Sequence, residues 1–500
     1  MNRKKAFLLN SFSGLLRQLI SLICGFVMTK LILDFYGSSM NGLVSSITQF
    51  LGFISFLEMG IGPVIQSNLY RPLAEKKDVD ISKIIKSSET FFKRIVYIFM
   101  VYIGILCVLF PILINSEFAP FFTASLVLII SLSSLAQYYF GMTYQLLLNA
   151  DQKGYVQSTL QWVTLVVNTV LCIVLMNLGA SIHIVRLITA TVYVFRPLFL
   201  NVYVKKHYNI DKNVNYNDDP IKQKWNGFAQ HLAAVVVDNT DIAELTIMSS
   251  LQNVSVYVIY FNVVYGITQI IMTVVSGLEA MWGNMLAKKE WSIVRDSFSL
   301  MEWGIHTIVT IIFAASALLI TPFVLIYTSG IEDANYNQPL FGVILVFAFA
   351  MQCIRVPYFR LIKAAGHYKQ TQNGAFISMV LNILISIIIV KKFGLVGVAI
   401  GTYVALFFHT CYLVVYLSHH LLKRNILFFI KHLIIDIMVL VISFLLCNLH
   451  LGVSKNYVSW VIMATKITSL VVAISTVANL VFYREFINRI IIILKKRITG

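Results

Sequence analysis

Apolar runs of about twenty residues return from one end of this chain to the other. A helix needs roughly 20 mostly apolar residues to cross the hydrocarbon layer of a bilayer. It is also one of only two structures that satisfy every backbone polar group there. Hydropathy places helices at about 10–32, 41–66, 92–114, 121–145, 158–178, 182–204, 226–250, 253–280, 299–327, 339–362, 373–390, 397–418, 431–450 and 459–482. Of 500 residues 58% are hydrophobic, which matches about fourteen spans with little left over. Charged residues make up 12%, against about 25% in soluble chains. These figures exclude a soluble enzyme, a secreted disulfide scaffold and a disordered chain. They also exclude a single-span receptor, because no long polar stretch remains to build an outside domain.

The net charge is +17, from 39 basic and 22 acidic residues. In a soluble protein that excess would suggest nucleic acid. Here it follows the membrane, so no nucleic-acid partner is expected. With the N-terminus inside, the inside segments hold 29 Lys and Arg, and the outside loops hold only Lys391, Lys392 and Lys455. This is the positive-inside pattern, and it puts both termini in the cytoplasm with an even number of helices. Met1 to Lys5 is basic, and the run after it has no small-x-small cleavage site, so the first helix reads as permanent. Cys24, Cys107, Cys172, Cys353, Cys411 and Cys447 all lie in apolar runs without CxxC spacing and read as small core residues. No Walker A pattern appears, so ATP is not the direct energy source.

Four pieces of the chain echo each other about 215 positions apart. Asn10-Ser11-Phe12 meets Asn226-Gly227-Phe228, and Leu73-Ala74-Glu75-Lys76-Lys77 meets Leu286-Ala287-Lys288-Lys289-Glu290. Ala150-Asp151-Gln152-Lys153 stands where Ala365-Gly366-His367-Tyr368 does, and Gly179 meets Gly394. The repeat unit is six helices, and an even unit gives parallel repeats. The expected fold is thus an all-α integral membrane protein of about 14 transmembrane helices. It has two parallel six-helix lobes plus two C-terminal helices, N-in and C-in. The expected boundaries are 1–204 for the N-lobe, 205–225 for a cytoplasmic linker, 226–420 for the C-lobe, and 421–500 for helices 13–14 with a basic tail. Paired six-helix lobes around a central site are the architecture of alternating access.

An ionisable group at mid-bilayer costs about 2.5–3.5 kcal/mol on insertion scales and usually faces a cavity or a partner. Helix 1 carries Arg17 on a face of small and polar residues, and Arg186 and Arg355 are the deeper cations of helices 6 and 10. These three are the candidate lining of a cationic cavity. Fixed cations select an anion, and arginine forks suit phosphate oxygens. Arg196 and Arg360, nearer the cytoplasmic interface, are expected to snorkel. Helix 7 carries His231, Asp238, Asp241 and Glu244. Asp238 and Asp241 read either as partners of an arginine or as groups that take up and release H⁺ or Na⁺, with Glu244 expected near the outer water. Glu58 precedes Gly60, Gly62 and Pro63, which should bend or unwind helix 2 beside a third ion-coupling candidate. No cofactor is expected beyond that coupling ion.

The stretch Tyr36-Gly37-Ser38-Ser39-Met40-Asn41-Gly42-Leu43-Val44, continuing through Leu57-Glu58-Met59-Gly60-Ile61-Gly62 and Leu69-Tyr70-Arg71-Pro72-Leu73-Ala74, resembles the start of Wzx-type O-antigen and capsule repeat-unit flippases of the MOP exporter superfamily. The resemblance is specific over about 35–90. It implies a transporter, not an enzyme, in the bacterial cytoplasmic (inner) membrane. The implied cargo is an undecaprenyl-pyrophosphate-linked oligosaccharide, moved from the inner to the outer leaflet with coupling to an ion gradient. It further implies membrane lipid, a polysaccharide polymerase and chain-length machinery as partners, and it makes Arg17 the family's helix-1 cavity arginine. The rival readings are the lipid II flippase or drug/cation antiporter branches of the superfamily, and a multi-span polysaccharide polymerase. The polymerase needs a large outside loop, and the longest here, about Thr328 to Gln338, offers only Glu332 and Asp333.

Overall fold

The computed structural model describes residues 3–488 except 59, 115–116, 216–220, 222–239, 276 and 448–455. Among the described residues there are helices, turns and no strands. Two compact units divide the chain. Unit 1 comprises Met1–Val235 and Ser250–Ser255, and unit 2 comprises Val236–Ser249 and Val256–Gly500.

Unit 1 holds α1 (Arg3–Gly52), α2 (Ile61–Glu75), α3 (Asp78–Leu113), α4 (Pro120–Ala136), α5 (Met142–Ala150), α6 (Gly154–Asn177) and α7 (Ile182–His207). Unit 2 holds α8 (240–248) and all but the first turn of α9 (Leu251–Val274). It continues with α10 (Leu278–Ala287), α11 (Trp291–Tyr327), α12 (Pro339–Ala364), α13 (Tyr368–Phe393), α14 (Leu395–Leu417), α15 (Leu427–Cys447) and α16 (Tyr457–Phe482). Twelve stretches among the described residues are long and apolar enough to cross a membrane. The first, Leu8–Glu58, runs 51 residues and joins two of the expected helices across a bend at Gly37. The helix expected at 226–250 lies mostly outside the described residues. On α3, Val101, Ile105, Val108 and Ile112 stand exposed at helical spacing, an apolar face of the kind that meets lipid.

The motif at 36–51 has local reasons. Gly37 has φ 82°, a region that glycine enters without a Cβ penalty. A Cβ on Gly42 would lie 1.9 Å from the Leu251 carbonyl oxygen, so only glycine fits against the start of α9. Asn41 Nδ2 donates to Ser255 Oγ at 2.8 Å, and Gln252 Nε2 to Ser39 Oγ at 2.6 Å. Further on, a 3₁₀ turn over Phe53–Glu58 and Gly60 at φ 70° interrupt the second helix beside Glu58.

The internal repeat reappears as backbone geometry. Left-handed residues end matching helices at Lys76, Gln152 and Gly179, and again at Lys289, Gly366 and Gly394. The echo at Asn226-Gly227-Phe228 lies outside the described residues. A side-chain pair also repeats. Tyr144 donates to Glu89 at 2.8 Å, and Tyr358 donates to Glu302. Glu89 and Glu302 stand 213 positions apart, and the two tyrosines 214.

The start of the 205–225 segment, expected as a plain linker, is tied to unit 1. Tyr208 donates to Asp151 at 2.5 Å, the Asp211 amide to Ser82 at 3.0 Å, and Lys86 Nζ to the Val214 carbonyl at 2.8 Å. Burial and the Asp151 carboxylate raise the Tyr208 phenol well above its ordinary value, so it stays protonated as the donor.

Candidate functional site

The buried acids of unit 2 lie in a close-packed polar cluster. α13 and α14 meet through Gly397 and Gly401. A Cβ on Gly397 would come within 2.8 Å of the α13 backbone, and one on Gly401 within 2.1 Å of Ser386 Oγ. Small residues four apart let two helices approach in this way. Across the contact, Asn382 Nδ2 donates to Thr402 Oγ1 at 3.1 Å. Thr402 Oγ1 donates to Asp241 Oδ2 at 2.8 Å, and the Tyr257 hydroxyl reaches the same oxygen at 2.7 Å. Thr240 Oγ1 donates to Asn382 Oδ1 at 2.9 Å, which fixes the asparagine amide. Asp241 is 6% exposed and Glu244, one turn on, 8%. Both Glu244 oxygens are buried without a hydrogen-bond partner among the described residues, and the Ser386 hydroxyl is beside them. Glu244 thus lies inside the unit, not at the outer water. Its neighbours in sequence are apolar except for Asp241, so a solvent-facing helix end was the simpler expectation.

Two buried carboxylates one turn apart repel each other and lose hydration, so the pair favours a bound proton or cation. The surrounding oxygens of Thr, Asn, Tyr and Ser suit a hard cation better than a transition metal. Among the described residues no cluster of three or more His, Cys, Asp or Glu forms a metal site.

The other expected site residues lie on several helices of both units. Asp238 lies outside the described residues. Arg17 is half-buried on α1 and has no ion-pair partner among the described residues. Arg186 lies on α7 near Cys172, Tyr193 and Tyr36, with its Nε buried and unbonded among the described residues. Arg355 lies on α12 and is tied to His409 of α14, Nη1 to Nδ1 2.6 Å, which makes that histidine nitrogen the acceptor. Glu58 lies in unit 1. It accepts from Tyr138 at 2.5 Å in a polar pocket of unit 1. Arg196 of α7 is held inside unit 1. Its Nε donates to Thr164 Oγ1 at 2.5 Å and its guanidinium lies 3.8 Å over the Tyr193 ring. Arg360 pairs with Glu279 at 2.8 Å.

Two features of unit 2 escaped the sequence. An apolar cavity of about 370 Å³ lies among α11, α12, α14 and α15, lined by Phe313, Phe347, Met351, Phe407, Leu433 and Leu440. At its edge Asp436 accepts from Thr310 at 2.7 Å and pairs with His306 at 2.5 Å. Beside it Arg424 forks onto both oxygens of Glu302, at 2.6 and 2.5 Å. Burial lowers the Arg424 guanidinium pKa, but the bonds and charge of Glu302 outweigh this and leave it raised. The signal was present as single charges in apolar segments, but their partners stand 122 and 130 positions away.

No family profile and no curated protein matches this sequence. Solved structures do. The lipid II flippase MurJ in an inward closed conformation superposes with a TM-score of 0.71 at 14% identity, over 96% of this chain and 100% of that one. An inward-facing multidrug resistance MATE family transporter of the MOP superfamily gives a TM-score of 0.58 at 14% identity, over 82% of this chain and 98% of that one. A MOP superfamily transporter from Pyrococcus furiosus gives 0.55 at 14% identity, over 84% and 97%. The chain therefore has the multi-pass, all-helical fold of MOP superfamily transporters.

Proposed function

We propose that this protein is a flippase that moves an undecaprenyl-pyrophosphate-linked oligosaccharide repeat unit from the inner to the outer leaflet of the bacterial cytoplasmic membrane. It belongs, on this reading, to the Wzx-type branch of the MOP exporters and works by alternating access. The observation that carries the reading is a transporter fold with a buried pair of carboxylates, Asp241 and Glu244, in unit 2. The candidate head-group cations are Arg17 and Arg186 of unit 1 and Arg355 of unit 2, since guanidinium forks suit phosphate oxygens. The aromatic-lined apolar cavity of unit 2 suits an isoprenoid chain, which exchanges one apolar environment for another on leaving lipid. Uptake and release of H⁺ or Na⁺ at Asp241 and Glu244 couples transport to a gradient.

The test is leaflet-resolved detection of the lipid-linked oligosaccharide in cells with and without the protein. Depletion is expected to trap it on the cytoplasmic leaflet, and Arg17→Ala to reproduce the block with the protein still folded. Normal arrival at the outer leaflet in depleted cells would sink the proposal. One observation favours a second reading. The Asp241–Glu244 pair also suits a drug/cation antiporter, for which depletion would change a resistance profile and leave the glycolipid untouched.

A further inference from the structure

Unit 1 contains a polar pocket of about 360 Å³ that the proposed transport cycle does not use. Ligand sites span roughly 300–1,000 Å³, so this one suits a small guest. Its shape comes from a π-helical turn over Gln137–Gly141 between α4 and α5. Such turns are rare and often mark functional sites. Here the turn lets Gln137 Nε2 donate to Gln145 Oε1 at 2.9 Å, eight positions on. A Cβ on Gly141 would come within 2.8 Å of Pro197, so glycine is what lets α7 close that side.

The pocket holds one anion and one cation. Glu58 is engaged by the Tyr138 hydroxyl. Arg196 stacks on Tyr193 and has no carboxylate partner among the described residues. Between these charges the side-chain amides of Gln157 and Gln161 line the pocket without a hydrogen-bond partner among the described residues. Each amide offers two donors and an acceptor, a set that fits vicinal hydroxyls. The opposed charges disfavour other guests: Glu58 repels a diphosphate, Arg196 repels a cationic drug, and an isoprenoid would strand every amide.

We propose that this pocket binds a neutral pyranose, and that it is the subsite through which unit 1 reads a sugar of the transported glycan. The choice of ligand rests on the lipid-linked glycan reading above. A site that hydrogen-bonds hydroxyls favours them over an analogue lacking them.

The experiment is saturation-transfer NMR on the full-length protein in lipid nanodiscs, which avoids glycoside detergents. The probes are methyl glycosides of glucose, galactose, rhamnose, N-acetylglucosamine, N-acetylgalactosamine and glucuronic acid. At least one neutral glycoside is expected to show transfer above empty nanodiscs. That signal should fall at least fivefold in Gln161→Leu and in Gln157→Asn, and stay unchanged in the surface variant Glu75→Gln. Thermal unfolding of each variant, followed by tryptophan fluorescence, confirms that the fold is intact. No transfer from any neutral glycoside, transfer from glucuronide alone, or equal signal in both glutamine variants overturns the proposal. The leaflet assay is independent. Glycoside binding without flipping would overturn the transport reading, and flipping without glycoside binding would overturn the subsite.

Discussion

The two units place the same polar positions on matching helices and surround them with opposite charge. Asn168 and Cys172 of α6 stand 214 positions before Asn382 and Ser386 of α13, and Thr189 of α7 stands 213 before Thr402 of α14. In unit 1, Cys172 lies within 3.5 Å of Thr189, and Asn168 reaches Tyr193 at 3.4 Å. In unit 2 Asn382 bonds Thr402. The difference comes from the first helix of each repeat. Unit 2 brings Asp241 and Glu244. The corresponding stretch of α1, Gly25–Lys30, has no carboxylate, and Ile32 and Met28 pack apolar against Cys172. Unit 1 instead carries Arg186 near that position. A duplicated scaffold thus holds a guanidinium in one copy and a buried pair of carboxylates in the other. The Tyr–Glu pair diverges too. Glu89 in unit 1 has Tyr144, whereas Glu302 in unit 2 has Tyr358 and also the forked Arg424.

Substitutions at matched positions sharpen the contrast. Asp241→Asn keeps the hydrogen-bonding shape and removes the charge. Transport in proteoliposomes is expected to fall at least a hundredfold, while the unfolding temperature holds or rises, because a buried charge is gone. A stability loss with transport intact would make Asp241 structural. Next, Arg424→Met leaves Glu302 buried without its cation, and breaking such a pair costs about 3–5 kcal/mol, read as a large fall in unfolding temperature. The unit 1 counterpart, Glu89→Gln, keeps an acceptor for the Tyr144 hydroxyl and loses only the charge on it, so it should cost only about 1 kcal/mol. Equal losses at the two sites would remove the distinction drawn between the units. The smallest effect is expected at Glu75, on the surface beside the second echo. Bonds from Lys77 and Arg71 lower its carboxyl to about 2, so its contribution is present above the ordinary carboxylate range and is lost only as pH falls through about 2. Exposed pairs are weak, so Glu75→Gln should leave unfolding unchanged between pH 5 and 8.

Much of this was legible in the sequence because it rests on local pattern. Apolar run length marks the spans, and the echoes at Lys76/Lys289 and Gly179/Gly394 mark helix ends that the backbone confirms as left-handed. The Tyr36–Leu51 motif was visible as a motif. Its causes, a bend at Gly37 and the contact of Gly42 with Leu251, needed coordinates because the partner is 209 residues away. Hydropathy also undercounts helices that continue into water: α3 begins at Asp78, fourteen residues before the apolar run expected at 92–114. The candidate sites were less legible. Asp241 was visible as a charge in an apolar span, but Asn382, Thr402 and Tyr257 are ordinary polar residues whose convergence is a tertiary fact. The hold of Thr164 and Tyr193 on Arg196 is likewise a tertiary fact that the sequence does not show.

The central claim is that unit 2 exchanges a cation or proton at Asp241 to drive flipping of a lipid-linked glycan. The most direct measurement is leaflet exchange of a fluorescent polyprenyl-diphosphate saccharide in proteoliposomes, with an imposed pH or Na⁺ gradient. The account predicts that one of the two gradients speeds exchange by the wild-type protein and that Asp241→Asn responds to neither. Gradient-driven exchange by Asp241→Asn equal to wild type would contradict it.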